Sequence, residues 1–243
     1  MDENKKRDFT IGIGVTTTPN RKEYLDLCLS QIKKHTHGEY ILHVHNDINY
    51  RGVAYSKNEN IHALKDCDYI FLFDDDCYPE SNEWVEWFVN SNQKHLLYLQ
   101  DHGKRWTEFN MYDGDILLYT LETYDNCGGV FMMITKDIVD KVGYMNSAYG
   151  QYGFEHAGYS NRIFKSGFTI APYQQLKDTN CFLYSKDYDL FSNTKSSIPF
   201  YKRERLVNQN RPIFEKEINS QQIYYPYENT TTLLSLFRAI MTM

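Results

Sequence analysis

Short apolar runs alternate with helix-patterned stretches through the first hundred residues, and that alternation restricts the fold more than any other feature. Phe9 to Val15 (FTIGIGV), Tyr40 to His45 and Tyr69 to Phe73 are short and rich in β-branched or aromatic residues, so they read as strands. Between them, Lys22 to Lys34 places Leu25, Leu29 and Ile32 at helical spacing, and Ala54 to Leu64 carries Ala54, Ile61 and Leu64. A helix over Asn82 to Asn90 and a strand over His95 to Leu99 continue the series. Strands separated by helices imply βαβ units, and so an α/β fold whose mostly parallel central sheet is flanked by helices. Further on, Gly128 to Ile134 reads as a strand. Lys136 to Val142 and Phe154 to Lys165 read as helices stopped by Gly143 and Gly167. From about Gln174 to Pro226 the chain is polar and turn-rich. We therefore expect a core over residues 1–173 and an irregular C-terminal extension over 174–243 that packs on it. The last stretch, Thr232 to Met243, is moderately amphipathic, with docking on the body as its default and a partner or membrane surface as alternatives.

Bulk properties exclude several classes. The net charge of −6 gives no general attraction to nucleic acid or to an anionic membrane. Lys202, Arg203 and Arg205 cluster late in the chain and read as an ordinary solvated helix face. No run of about 18 apolar residues suggests a transmembrane helix, and the charged start lacks the apolar core of a signal peptide. Five widely spaced cysteines without a Cys-x-x-Cys pair suit buried, reduced thiols in a cytoplasmic protein. The 21 tyrosines and 14 phenylalanines supply the core with large faces and suit a polar, aromatic cleft.

The chemistry gathers where strands end. Asp74, Asp75 and Asp76 follow directly on the third apolar run. Three adjacent carboxylates repel one another unless a cation sits among them, and hard oxygen ligands suit Mg²⁺ or Mn²⁺ shared with substrate phosphates. A solvated acidic turn is the plain alternative. The position matters because open α/β sheets bind ligands beyond the carboxyl ends of their strands. The first strand runs into Thr16, Thr17, Thr18, Pro19, Asn20 and Arg21, and the second into His45, Asn46 and Asp47. Each of these also suits a helix cap or turn. Tyr50 to Asn58 then opens a helix with Gly52 and Ala54 beside Arg51 and Lys57, which offers close approach and positive charge to a diphosphate. Later, Glu155 and His156 follow a Gly/aromatic loop at a helix start. They form either an acid–base pair or a capping carboxylate with a surface imidazole.

Taken in order, these motifs resemble those of GT-A-fold, family 2-like glycosyltransferases, which use nucleotide-sugar donors. The resemblance covers roughly residues 9 to 168, and it implies that the C-terminal extension beyond it lies on the acceptor side. It implies a Rossmann-like GT-A core and identifies FLFDDDCYPE with the family's Asp-x-Asp motif, so that Asp74 and Asp76 flank a divalent ion on the donor diphosphate and Asp75 faces the donor sugar or ribose. It places Thr16, Thr17, Pro19 and Arg21 in the nucleoside-binding loop, and Asn46 and Asp47 near base or ribose. GVAYSKN is similar to a Gly-x-Ala-x-x-Arg-Asn run, with Lys57 in place of the arginine and Asn58 retained. YGQYGFEHAGYSNRI resembles the acceptor-side segment of the β-1,4-galactosyltransferase group, with Glu155 and Arg162 matching. His156 stands where many inverting members place an aspartate. It is then either the general base or a late metal ligand, and in the second case Glu155 is the base.

The resemblance implies a Mn²⁺- or Mg²⁺-dependent, inverting transfer of a sugar to a hydroxyl. A UDP-sugar is the foremost donor, and a glycan or other surface polymer the foremost acceptor. A nucleic-acid acceptor is possible in principle but disfavoured by the acidic charge. The location expected is cytoplasmic, with peripheral contact at a membrane surface open, as is the oligomeric state. Two competing classes remain. A nucleotidyltransferase calls for a glycine-rich basic loop after the first strand, which Thr16-Thr17-Thr18-Pro19 is not. A non-catalytic carbohydrate-binding protein fits the tyrosines but not the βαβ pattern.

Overall fold

The computed structural model describes residues 8–99, 104–188 and 198–228. In chain order it contains β1 (Ile11–Thr17), α1 (Lys22–His35), β2 (Ile41–Asn46), α2 (Val53–Leu64), β3 (Tyr69–Asp74), β4 (Cys77–Pro79), α3 (Trp84–Asn90) and β5 (His95–Leu97). There follow β6 (Arg105–Asp113), β7 (Ile116–Tyr124), β8 (Phe131–Thr135), α4 (Lys136–Val142), α5 (Glu155–Lys165), β9 (Gln174–Leu176), β10 (Leu183–Ser185) and α6 (Phe200–Asn219). The central sheet runs β2-β1-β3-β8-β5. β1 pairs in parallel with β2 and β3, while β8 is antiparallel to both β3 and β5. One reversed strand in five leaves the sheet mostly parallel, as the alternation predicts.

Successive residues of the central strands point to opposite faces, and the two faces build two cores. Phe71 and Phe73 join Trp84, Phe88 and Ile32 on the side of α1 and α3. Ile70 and Leu72 join Ile61, Ile138, Tyr159 and Ile163 on the side of α2, α4 and α5. The Trp84 ring meets Phe71 edge-on at a centroid distance of 4.8 Å and Phe73 at 5.5 Å. Each such side chain contributes about 2–3 kcal/mol through burial. That explains why β3 holds its position and delivers the aspartates that follow it to one fixed edge.

Residues 104–124 form a β6–β7 hairpin that the apolar pattern did not suggest. A local signal was present: Asp113-Gly114 opens the turn, with Gly114 at φ 58°. Its strands escape the periodicity because β6 is exposed along its whole length, including Trp106 and Tyr112. β9 completes this three-stranded sheet, and β10 pairs with β4. The extension is thus tied to the core by two short strands and by α6. The amphipathic stretch Thr232 to Met243 lies outside the described residues. No described helix is long and apolar enough to cross a membrane. All five cysteines are unpaired. Cys28, Cys67 and Cys77 are buried, Cys127 is half-buried and Cys181 is exposed.

α6 is held by a buried ion pair. Arg162 Nε donates to Glu217 Oε1 at 2.7 Å, and both side chains are 1% exposed. Three of the remaining guanidinium hydrogens go to the carbonyls of Val142, Tyr144 and Ile223, and Tyr149 and Asn146 donate to Glu217 Oε2. Removing one partner leaves a buried charge unmatched. Arg162→Ala should therefore lower stability by about 3–5 kcal/mol. Arg162→Met with Glu217→Leu should recover much of that loss, as read by chemical denaturation.

Candidate active site

The parallel register aligns the strand ends. Thr16 lies opposite Asp74 on one side and Thr17 opposite Asn46 on the other. Past the strands the pairing continues, with the Asp75 N–H donating to the Thr16 carbonyl at 3.1 Å and the Asp47 N–H to the Thr17 carbonyl at 2.9 Å. A cavity of about 220 Å³ opens over this edge, lined among others by Thr16, Thr17, Arg21, Asp47 and all three aspartates.

Arg21 is the cation beneath the triplet. Its Nε donates to Asp75 Oδ1 at 2.8 Å, Nη2 lies 2.6 Å from the same oxygen, and Nη2 also pairs with Asp76. Thr17 Oγ1 donates to Asp75 Oδ2 at 2.6 Å. Asp75 is thereby turned inward onto Arg21 and Thr17. Burial, and then the like charges of Asp187, Asp74 and Asp75, push Asp76 up to about 7 against the opposing pull of Arg21. Asp74 differs: its carboxylate is 30% exposed at the cavity, and Oδ1 lies 2.7 Å from Nζ of the fully buried Lys57.

The other expected donor-side residues divide. Asp47 accepts the N–H groups of Arg51 at 2.9 Å and Gly52 at 2.7 Å, and so shapes the loop before α2. Gly52 sits at φ 109°, and a Cβ there would lie 2.3 Å from the Gly150 carbonyl oxygen, so only glycine lets the two loops touch. Arg51 stacks on Tyr55 at 3.5 Å. The Asn58 side chain bonds the backbone N–H and carbonyl of Met145. Asn46, Pro19, Arg51, Lys57 and Asn58 do not line the cavity, although Lys57 reaches it through Asp74.

Glu155 and His156 begin α5. They follow Phe154, which adopts the left-handed conformation at φ 73° and stacks on Phe214 at 4.7 Å. A bulky residue held at positive φ stores strain that the surrounding packing must impose. Both side chains are buried, and His156 Nδ1 lies 3.3 Å from Glu155 Oε1. Glu155 Oε2 and His156 Nε2 have no partner among the described residues. The His156 ring rests on Gly129, where a Cβ would come within 2.2 Å of it. The next residue, Val130, accepts the Asp74 N–H at 2.9 Å, so the pair stands at the same sheet end as the triplet. Neither residue lines the cavity. Below them, His95 Nε2 meets Ser160 Oγ and Nδ1 meets the Met133 carbonyl, each at 2.9 Å, tying α5 to β5 and β8.

Five wall residues were not expected from the sequence. Gln151 and Tyr152 come from the loop before α5, Asp187 follows β10, and Lys202 and Arg203 come from the first turn of α6. The basic cluster was visible in the sequence, but its neighbour was not. Asp187 arrives through the pairing of two three-residue strands, which leaves no periodic signal.

Among the described residues, no three His, Cys, Asp or Glu side chains gather closely enough to hold a metal alone. The donor set fits an ion of the Mg²⁺ or Mn²⁺ type held by one or two carboxylates and completed by ligand phosphates. Asp74, with its exposed carboxylate, is the readiest ligand. Asp76 stands beside it on Arg21, and His156 is not gathered with them.

No family model and no curated protein sequence matches the chain. Solved structures similar to it include the catalytic domain of Drosophila β-1,4-galactosyltransferase 7 in complex with xylobiose, at 16% identity and a TM-score of 0.49, covering 81% of this chain and 79% of that one. A mutant of the same enzyme in complex with manganese, UDP-Gal and xylobiose gives 17% identity, the same TM-score and the same coverage. A Bacillus anthracis protein described as a putative glucose-1-phosphate thymidylyltransferase, in complex with a sucrose, gives 9% identity and a TM-score of 0.40, covering 67% and 86%.

Burial drives the His95 imidazole down to about 4 from its ordinary 6.5, against the pull of its bond to the Met133 carbonyl. The folded chain therefore binds fewer protons than the unfolded chain between those values. Stability should fall as pH drops through that window, by on the order of 3 kcal/mol from this group. Denaturant titrations at pH 7 and pH 4 should show a smaller acid loss in His95→Asn than in the wild type.

Proposed function

We propose that this chain is a glycosyltransferase that moves a sugar from a nucleoside-diphosphate donor to a hydroxyl acceptor with inversion at the anomeric carbon. The observation that carries the reading is Asp74. It is a strand-end carboxylate with one oxygen fixed by buried Lys57 and its exposed side on a cavity bounded by β1, β3 and the loop before α2. That is where an α/β sheet of this kind presents ligands, and the order of motifs around it resembles the GT-A pattern.

In this reading the nucleoside lies along Thr16 to Thr18 and the loop held by Asp47, and the diphosphate points toward Asp74. Asp74, with Asp76 beside it, would hold a divalent ion, and such an ion when bound would offset the charge that develops on the leaving diphosphate. Lys57 orients Asp74 from beneath, and Arg21 keeps Asp75 and Asp76 in place. Glu155 is the general base, supported by its buried, unpartnered oxygen at the start of α5. His156, seated on Gly129, positions that carboxylate. The acceptor oxygen bonds to the anomeric carbon while the bond from that carbon to the diphosphate oxygen breaks. The electron pair leaves with the diphosphate, and the hydroxyl proton passes to Glu155.

Asp74→Asn should lower metal-dependent turnover of a nucleotide-sugar by roughly 100-fold or more. It should also weaken nucleoside-diphosphate binding in Mn²⁺ while leaving binding without metal unchanged. Because Lys57 loses its charged partner, the comparison belongs well below the variant's melting temperature. Wild-type turnover in Asp74→Asn would remove the assignment. Glu155→Gln should reduce transfer and leave nucleoside-diphosphate affinity intact, and reduced affinity would instead mark Glu155 as a structural group.

A further inference from the structure

The cavity is lined by five carboxylates, those of Asp47, Asp74, Asp75, Asp76 and Asp187. An anionic ligand entering it meets repulsion unless cations outside the aspartate pairs face it. Arg21 is committed to Asp75 and Asp76, and Lys57 to Asp74. Two cations remain on the wall, Lys202 and Arg203, and neither has a carboxylate partner among the described residues. Arg203 donates to the Tyr152 hydroxyl and lies 5.8 Å from the Phe200 ring centroid, and its Nε has no partner. These contacts orient the guanidinium without neutralising it. Lys202 and Arg203 both stand on the first turn of α6, a helix anchored far from the cavity by Glu217 on Arg162. Asn210 fastens its middle to the carbonyls of Tyr149 and Tyr152 at 2.6 and 2.8 Å. Their backbone is therefore held in place on the wall of the cavity that the aspartates also line.

We propose that Lys202 and Arg203 are the anion-holding edge of this cavity and take the phosphoryl oxygens of a diphosphate. The choice of diphosphate rests on the donor reading above, whereas the basic edge itself rests on charge and position. A consequence is that the C-terminal extension completes the donor side of the site, where an acceptor role was expected for it. Arg203 supplies a planar fork and Lys202 a compact charge, so the two are not interchangeable.

The test is calorimetric titration of the full chain, in Mg²⁺, with inorganic pyrophosphate, UDP and uridine. Lys202, whose ammonium bonds no other described residue, is the cleaner single site. Arg203→Lys controls for the Tyr152 contact. Lys202→Ala with Arg203→Ala should weaken pyrophosphate and UDP by about 10-fold or more, leave uridine unchanged, and show a shallower salt dependence than the wild type. Unchanged pyrophosphate and UDP affinity in the double variant would overturn the proposal. So would a lowered melting temperature with anion affinity intact, since the two cations would then serve only to balance the aspartates. The outcomes separate from those of the functional reading. Pyrophosphate binding that depends on the pair, without any sugar transfer, keeps the basic edge and removes the glycosyltransferase. Sugar transfer with full affinity in the double variant does the reverse.

Discussion

The contact of Arg21 with Asp75 and Asp76 is the constraint on which the site depends. Two adjacent carboxylates are buried at the end of β3, and burying either one alone would cost several kcal/mol. One guanidinium from the turn before α1 meets both, and Thr17 from β1 adds a short bond to Asp75. The ends of β1 and β3 are thereby fixed to each other by charge as well as by register. Burial still holds Asp76 above the ordinary carboxylate range, and Asp74 is left as the most exposed of the three carboxylates that line the cavity. The triplet thus divides into two inward anchors and one outward group.

Everything around this anchor delivers groups to the same edge from different parts of the chain. Asp47 folds the loop before α2, and Gly52 lets that loop touch the loop before α5. Strain at Phe154 and the absence of a side chain at Gly129 set Glu155 and His156 next to the strand that borders Asp74. Arg162 with Glu217 locks α6, whose Lys202 and Arg203 line the same cavity as the aspartates. The acidic half of the cavity belongs largely to the sheet, and the unpaired basic half to the C-terminal helix. Bringing α6 to its place is therefore part of making the site.

Much of the sheet was legible because β1, β3, β5 and β8 are buried on both faces and read as apolar runs, while β2 at the edge is partly exposed. β3 extends one residue beyond the expected run, to Asp74, and β5 stops two residues early. Strand-end logic also located Thr16, Thr17, Asp47 and the aspartates on one rim. The partner of each charge was not legible, because pairing is set by register and by turns far apart in sequence. Arg21 resembled a nucleoside-loop residue, and its pairing with Asp75 and Asp76 left no trace in the sequence. Lys57 resembled a diphosphate contact and sits beneath Asp74. Lys202 and Arg203 resembled a solvated face because nothing local records that α6 lies against the cavity. Asp187 depends on the short β4–β10 pair, and the β6–β7 hairpin on a turn signal within exposed strands.

The proposed reaction breaks the bond between a sugar and a nucleoside diphosphate in this cavity. Its most direct test is to incubate the wild-type chain with a panel of nucleotide-sugars in Mn²⁺ and to identify the phosphorus product by ³¹P NMR. The expected result is release of an intact nucleoside diphosphate, dependent on the added metal. Inorganic pyrophosphate as product, formed from a nucleoside triphosphate and a sugar phosphate with no nucleoside diphosphate from any nucleotide-sugar, would contradict it.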